Sequence, residues 1–316
     1  MPGIEKLVFF GTPSFAVPSL EALCGAKRRP RLVVSQPSRR VDRGRRVMDP
    51  AVVTWARDRR LPVRQPASVK EEAFLVAVEQ VEPDVAVVVA FGQIFSPELL
   101  ALPKHGCINV HASLLPRFRG ASPVQAAIAS GATRTGVTTM QMTAGLDSGP
   151  ILLQAETEIS PRDTSSDLSE KLATMGGELI LETLDRMERD ELRPREQPDE
   201  SVSTAPRLRR ADGEIDWKLR SDEISNRIRA FSPWPGSHSK LRDAPVKILQ
   251  ATPAEPIARS RTKPGEFLGL RHDQMLVSCG EGTSLGIESL QRPGKRPVRA
   301  TEFANGERLE AGERFG

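Results

Sequence analysis

Three polar side chains, from two separate stretches of the sequence, could together move a proton. Asn109 and His111 stand two residues apart in the apolar run Cys107-Ile108-Asn109-Val110-His111. That run reads as a β-strand, whose two-residue period turns both side chains to one face. Asp147 lies in Gly145-Leu146-Asp147-Ser148-Gly149, a glycine-flanked loop after the strand-like run from Val137 to Met142. An amide donates hydrogen bonds, an imidazole exchanges a proton near neutral pH, and a carboxylate stabilises that proton. At the carboxyl end of a strand in an open α/β sheet, such a pair faces the crevice where ligands bind. Singly, each signal is weak. Asn-x-His is as readily a satisfied structural pair, and an aspartate between glycines is commonly a turn residue.

A second kind of chemistry is suggested by Gln36-Pro37-Ser38-Arg39-Arg40-Val41-Asp42-Arg43-Gly44-Arg45-Arg46, which places five arginines in one short loop. The loop leaves the carboxyl end of a strand, on the same rim, and arginines clustered there could grip phosphates. The alternative is a solvated surface run. Gly11-Thr12-Pro13 follows the first strand where a dinucleotide-binding chain would place G-x-G-x-x-G. One glycine followed by proline leaves that fingerprint absent and argues against a nicotinamide dehydrogenase. The turn is either structural or substrate-lining.

The elements that must position these residues follow from short apolar runs alternating with helical spacing over the first 190 residues. Leu7 to Phe10, Leu32 to Val34, Val85 to Val89, Cys107 to Val110 and Val137 to Met142 read as strands. Helical patterns cover Phe15 to Leu23, about Glu71 to Val81, and Ser165 to Met187 with Thr164 as cap; Asp49-Pro50 reads as the start of another helix through about Arg59. The pattern predicts an α/β domain with a mostly parallel, Rossmann-like sheet over residues 1–189. Residues 190–207, rich in charge and proline, read as a linker. Residues 208–316 carry one helix, near Asp222 to Ala230, and short strands such as Val246 to Leu249 and Met275 to Ser278, suggesting a small OB-like β-barrel.

Composition narrows the class. Cysteines at 24, 107 and 279 and histidines at 105, 111, 238 and 272 show no paired metal-ligand spacing, so no metal is expected. No apolar run approaches the roughly 20 residues that span a bilayer, and Met1 to Lys6 lacks a secretory pattern. A cytoplasmic location is therefore expected. From Arg207 onward 20 Lys/Arg face 15 Asp/Glu, against 25 and 26 in the preceding residues. A basic second half suits a phosphate-bearing partner or simple solubility.

The contexts I-N-V-H-A-S-L-L-P-R-F-R-G-A-S-P and G-L-D-S-G resemble those of the formyltransferases that use 10-formyltetrahydrofolate. F-F-G-T-P-S-F-A-V-P-S-L at 9–20, Q-P-S-R-R at 36–40, V-V-V-A-F-G-Q-I at 87–94, I-D-W at 215–217 and I-R-A-F-S-P-W-P-G at 228–236 are similar to the branch of that family acting on methionyl-tRNA. Ala112, Phe91 and Ser38 stand where that family commonly has glycine, tyrosine and aspartate, and Pro253 to Lys263 matches poorly, as a variable loop would. The resemblance implies the formyltransferase fold, 10-formyltetrahydrofolate as formyl donor and methionyl initiator tRNA as acceptor, in a monomer. It implies that Asn109, with His111, stabilises an oxyanion while Asp147 orients His111 and helps carry a proton. It places the folate along Val89, Ala90, Phe91, Gly92, Gln93 and Ile94 and along Ser113, Leu114, Leu115 and Pro116. It gives the tRNA to Arg39, Arg40, Arg43, Arg45 and Arg46, and to the C-terminal barrel. The competing readings are a relative acting on an amino sugar or hydrolysing the folate, and a non-catalytic RNA-binding protein.

Overall fold

The computed structural model describes residues 3–41, 46–256 and 262–316. Contacts divide the chain into two compact units: Met1–Pro123, Arg134–Glu158 and Ser169–Thr204 in the first, and Val124–Thr133, Ile159–Leu168 and Ala205–Gly316 in the second.

The strands of the first unit are β1 Leu7–Gly11, β2 Leu32–Val34, β3 Arg39–Val41, β4 Arg46–Met48, β5 Val63–Arg64, β6 Val85–Val89, β7 Cys107–His111, β8 Arg134–Gln141 and β9 Ile151–Glu158. Seven of them form one sheet in the order β5-β2-β1-β6-β7-β8-β9. The five from β5 to β7 run parallel, whereas β8 is antiparallel to β7 and β9 to β8. Helices α1 Val17–Gly25, α2 Ala51–Asp58, α3 Glu72–Glu79 and α4 Pro97–Ala101 connect the parallel strands. α5 Pro123–Ala129 precedes β8, and α6 Ser165–Glu188 follows β9.

Of the parallel strands, β1, β2, β6 and β7 are largely buried on both faces, which is why they read as apolar runs. On one face Val8, Phe10, Val34, Val88 and Cys107 pack with Phe74, Phe91, Phe95 and Leu99. Phe10 meets Phe91 and Phe95 edge-to-face, at centroid distances of 5.4 and 4.8 Å. On the other face α6 lies close, because Gly176 and Gly177 remove two side chains from it. A Cβ at Gly176 would stand 3.0 Å from Val110, and one at Gly177 would stand 2.9 Å from the Pro18 carbonyl. α6 therefore supports β7 from the side opposite Asn109 and His111.

Two local expectations need correction. Asp49 does not cap α2: Pro50 occupies the cap position and the helix begins at Ala51. The Asp49 carboxylate is instead bonded to Ser38 and Arg57. The arginine-rich segment is not loop throughout, since Arg39 pairs with Met48 and Arg40 with Val47 as a two-stranded hairpin. Residues 190–204 are also tied down. Ile151 and Arg195 exchange backbone hydrogen bonds of 2.7 and 2.9 Å, and Thr204 bridges to Arg119.

The second unit holds α7 Ser221–Ala230, α8 Ala300–Glu307 and six strands: β10 Ser237–Leu241, β11 Ala244–Ala254, β12 Phe267–Arg271, β13 Gln274–Ser278, β14 Ser284–Gln291 and β15 Val298–Arg299. Its sheet runs β10-β11-β14-β13-β12, with β15 beside β14. Closure comes from residues 312–316. Phe315 bridges Leu241 at the β10 edge, and Arg314 bridges Glu266 just before β12. The ring of Phe315 fills the barrel against Trp217 at 5.7 Å. Of the variable loop expected over Pro253 to Lys263, Pro253 and Ala254 end β11, and 257–261 lie outside the described residues. Among the described residues no helix is long and apolar enough to cross a membrane.

Phe315 is 1% exposed, so Phe315→Ala should remove about 3–5 kcal/mol of stability from the second unit. Denaturant unfolding followed by Trp217 fluorescence measures this, and a loss below about 1 kcal/mol would mean that the closing segment is peripheral.

Candidate active site

β7 carries one face from the core to the rim. Cys107 opens it inside the phenylalanine cluster, and Asn109 and His111 follow on the same side at the carboxyl end. Asn109 lies between Val88 of β6 and Met140 of β8, and His111 stands opposite Thr138. Asn109 is half-buried, and no side-chain hydrogen bond engages its amide among the described residues.

His111 is buried, at 6% exposure. Its Nε2 lies 3.1 Å from the carbonyl oxygen of Phe118. A carbonyl only accepts, so Nε2 carries the hydrogen, and in the neutral ring Nδ1 keeps a lone pair. That nitrogen faces Oδ2 of Asp147 at 3.7 Å, longer than a hydrogen bond. The same carboxylate oxygen accepts the Gly120 N–H at 2.8 Å. Burial pushes the His111 pKa below its ordinary value, and the Asp147 charge and the Phe118 carbonyl oppose that push only in part. The result is a neutral imidazole whose free nitrogen looks toward a carboxylate. The Phe118 carbonyl, not Asp147, is what holds the ring in its tautomer and orientation.

Asp147 arrives by an indirect route. β8 ends at the amino end of β7, where the Met142 N–H donates to the Cys107 carbonyl at 2.8 Å. The following loop runs back along β7 to bring Asp147 beside His111, and the Gln141 N–H then donates to the Pro150 carbonyl at 3.0 Å as the chain returns. Asp147 and Phe118 both adopt left-handed backbone conformations, with φ of 47° and 60°. For a bulky aromatic such as Phe118 that conformation is strained and must be held by its surroundings.

The holding groups come from a segment that composition marked only as a linker. Gln197 Nε2 donates to the carbonyl oxygens of Asp147 and Gly149 at 2.9 and 2.7 Å. Its Oε1 accepts from the Arg119 guanidinium at 2.9 and 2.7 Å. Ser203 Oγ accepts the Phe118 N–H at 2.9 Å. A lone glutamine before a proline shows no periodicity, so nothing in the sequence pattern singled it out.

The residues expected to line a donor site are differently engaged. Val89 and Phe91 are buried, and the Phe91 carbonyl accepts from Thr12 Oγ1 and Gln36 Nε2 at 2.9 and 3.1 Å. Gln93 Oε1 accepts the Val69 N–H at 3.0 Å. Ala90 and Gly92 are exposed, with positive φ of 46° and 84°, and Ile94 is 78% exposed. Thr138 Oγ1 fixes the other stretch: it donates to the Ser113 carbonyl at 2.6 Å and accepts the Leu115 N–H at 3.1 Å. Ser113 Oγ donates to the Arg117 carbonyl. Leu115 is buried with Met140 and Ile151, Pro116 is buried, and Leu114 is half-buried. Among the described residues, the backbone of Ala90 and Gly92 and the side chains of Ile94, Leu114 and Asn109 carry no side-chain hydrogen bond at the rim.

Of the arginines, Arg39 and Arg40 are exposed on β3. Arg43 and Arg45, and the side chain of Arg46, lie outside the described residues. Arg39 donates to Gln36 Oε1 at 3.0 Å, so one glutamine links the hairpin to the Phe91 carbonyl. A cavity of about 520 Å³ lies elsewhere, at the amino ends of β1, β2 and β5, lined by Leu7, Arg28, Arg31 and Leu61. It holds none of the candidate site residues.

Residues 5–184 match the family model described as formyl transferase, and residues 207–308 match that of the formyl transferase C-terminal domain. A protein of Geobacter metallireducens named methionyl-tRNA formyltransferase is 41% identical over all of both chains. One of the same name from a Synechococcus strain is 44% identical over 98% of each. Among solved structures, an N-formyltransferase from Helicobacter canadensis in complex with folinic acid and dTDP-3-aminofucose matches with a TM-score of 0.67 at 21% identity, covering 90% of this chain and 98% of that one. HypX from Aquifex aeolicus in complex with tetrahydrofolic acid matches at 0.62 and 17%, covering 98% of this chain and 49% of that one.

The depressed pKa has a sign. Between the folded value and the ordinary 6.5, the unfolded chain binds a proton that the folded chain refuses. The resulting stability is fully present above pH 6.5 and is lost as the pH falls below it. In an NMR titration, the His111 ring resonances should show a midpoint below 6.5; a midpoint at or above that value would mean that the ring is not desolvated as described.

Proposed function

Because the chain belongs to the formyl transferase family in both of its parts, we propose that it moves a formyl group from 10-formyltetrahydrofolate to the amino group of methionine carried by initiator tRNA. The observation that carries this reading is the convergence of a free amide, a neutral imidazole and a carboxylate at one sheet rim. It stands in a chain similar over its whole length to proteins named for that activity. The reaction belongs to translation initiation, and its place is the cytoplasm.

The donor supplies an activated formyl group, and the free groups at the rim suit it. The exposed backbone at Ala90 and Gly92 can hydrogen-bond the polar edge of a pterin, and Ile94 and Leu114 can cover its faces. The chemistry then falls to three side chains. As the methionine amine adds to the formyl carbon, negative charge gathers on the formyl oxygen, and the Asn109 amide donates to it. One well-placed donor of this kind is worth about 3–4 kcal/mol. Nδ1 of His111 is the lone pair available to take the proton leaving the amine, because Nε2 is committed to Phe118. Asp147, across 3.7 Å, stabilises the imidazolium so formed, and His111 then returns the proton to the departing folate nitrogen. Burial keeps water from competing for that proton.

Arg39 and Arg40, with Arg43, Arg45 and Arg46, would pair with phosphates at the acceptor end of the tRNA, and the basic second unit would hold the acceptor arm.

Purified protein given 10-formyltetrahydrofolate should formylate methionyl initiator tRNA and leave a nucleotide-linked amino sugar untouched; the reverse preference would overturn the acceptor assignment. Asn109→Ala should lower kcat about 10²–10³-fold, and His111→Ala or Asp147→Ala by a comparable factor, with tRNA affinity near that of the parent. Normal turnover in any one variant removes that residue from the scheme.

If the arginines neutralise phosphates, log affinity for tRNA should fall with log salt, by a slope of about 0.7–0.9 per contact. Replacing Arg39 and Arg40 with glutamine should flatten that slope by nearly two contacts. A slope unchanged by the substitutions would place the grip elsewhere.

A further inference from the structure

The two left-handed residues of the site share one source of restraint. Phe118, whose carbonyl sets the His111 tautomer, hangs by its N–H from Ser203 Oγ at 2.9 Å. Asp147, whose carboxylate faces Nδ1, has its carbonyl gripped by Gln197 Nε2 at 2.9 Å. These holding groups sit six residues apart on one strip of chain, which is itself anchored where Arg119 N donates to the Ser203 carbonyl at 2.8 Å. Gln197 does more than hold one loop. Its amide nitrogen also takes the Gly149 carbonyl at 2.7 Å, and its amide oxygen takes two donors of Arg119. One planar side chain thus joins the turn that carries Asp147 to the turn that carries Phe118.

We propose that Gln197 is a positioning residue for the transfer reaction, setting the Asp147 carboxylate against Nδ1 of His111 by clamping the 145–149 turn to the 117–120 turn. The inference rests on the catalytic reading of His111 and Asp147 given above. Its physical basis is strain and distance. Asp147 keeps a φ of 47° only while its surroundings over-determine it. At 3.7 Å the carboxylate is not bonded to the imidazole, so the pair does not hold itself in register. Gly120 N–H fixes one carboxylate oxygen but leaves the backbone behind Asp147 free to roll. Gln197 removes that freedom. It is half-buried and its donors and acceptor are used internally, so it is not free to bind substrate.

Gln197→Glu is the decisive substitution. It keeps the size and the acceptor for Arg119 but loses the donor to the Asp147 and Gly149 carbonyls. A displacement of about 1 Å in such a pair costs on the order of 10²-fold in rate, so kcat should fall about 10–100-fold while KM for the folate and for the tRNA stays within about 2-fold. Because a loss of that kind could also come from loosened folding, the same substitution is made in the Asp147→Asn background, alongside thermal unfolding of each variant. If Gln197 acts through Asp147, the second substitution should cost less than about 2-fold there, since coupled residues are not additive. An undiminished loss in that background, or a Gln197→Glu enzyme with parental kcat, overturns the proposal. If instead Asp147→Asn alone is fully active, the catalytic reading of Asp147 falls and the positioning role falls with it, an outcome distinct from an impaired Asp147→Asn beside an unimpaired Gln197→Glu.

Discussion

His111 has two ring nitrogens, and the fold commits one of them to the carbonyl of Phe118. That bond decides which nitrogen faces Asp147. With Nε2 carrying the hydrogen, only Nδ1 can accept a proton, and its direction is fixed by the plane of the ring. The ring is desolvated, which disfavours its cationic form; in the proposed transfer it would gain most from a nearby negative charge at the moment it took up the proton. Asp147 would supply that charge in the proposed reaction, from a distance that leaves Nδ1 unbonded.

Delivering the carboxylate to that spot requires the sheet to change character. A purely parallel sheet would send the strand after β7 out at the rim by way of a helix. Here β8 and β9 are antiparallel, and the loop between them begins at the wrong end of β7. It must travel back along the strand to reach His111, as a stretch without regular secondary structure. Such a stretch needs restraint from outside, and chain from beyond α6 provides it. The stiff part of the site, β7, is sandwiched between the phenylalanine cluster and α6; the adjustable part is tied by side-chain bonds.

Much of this is readable from residue order. The strands β1, β2 and β6 are apolar on both faces and stand out as runs, β7 stands out by its apolar Cys107, Ile108 and Val110, and the two-residue period alone puts Asn109 and His111 together. The cap of α6 is equally plain, because Thr164 and Asp167 bond each other's backbone N–H groups. Where a polar residue has two uses, the reading fails: Asp49 before a proline has the chemistry of a cap, yet its carboxylate goes to Ser38 and Arg57. The hairpin of Arg39 to Met48 lacks apolar alternation, and its pairing is set by backbone bonds that composition does not report. Gln197 and Ser203 are silent for a related reason: apart from the Arg119 guanidinium, their partners here are backbone carbonyl and N–H groups, which no residue type marks.

The barrel of the second unit has a further consequence. Among the described residues, its two outer strands, β10 and β12, are joined by residues 312–316, which come after every other element of that unit in chain order. Until that segment docks, both margins of the sheet are bare, each a template for pairing with another chain. A chain whose last residues are undocked therefore presents two open edges to its neighbours at once.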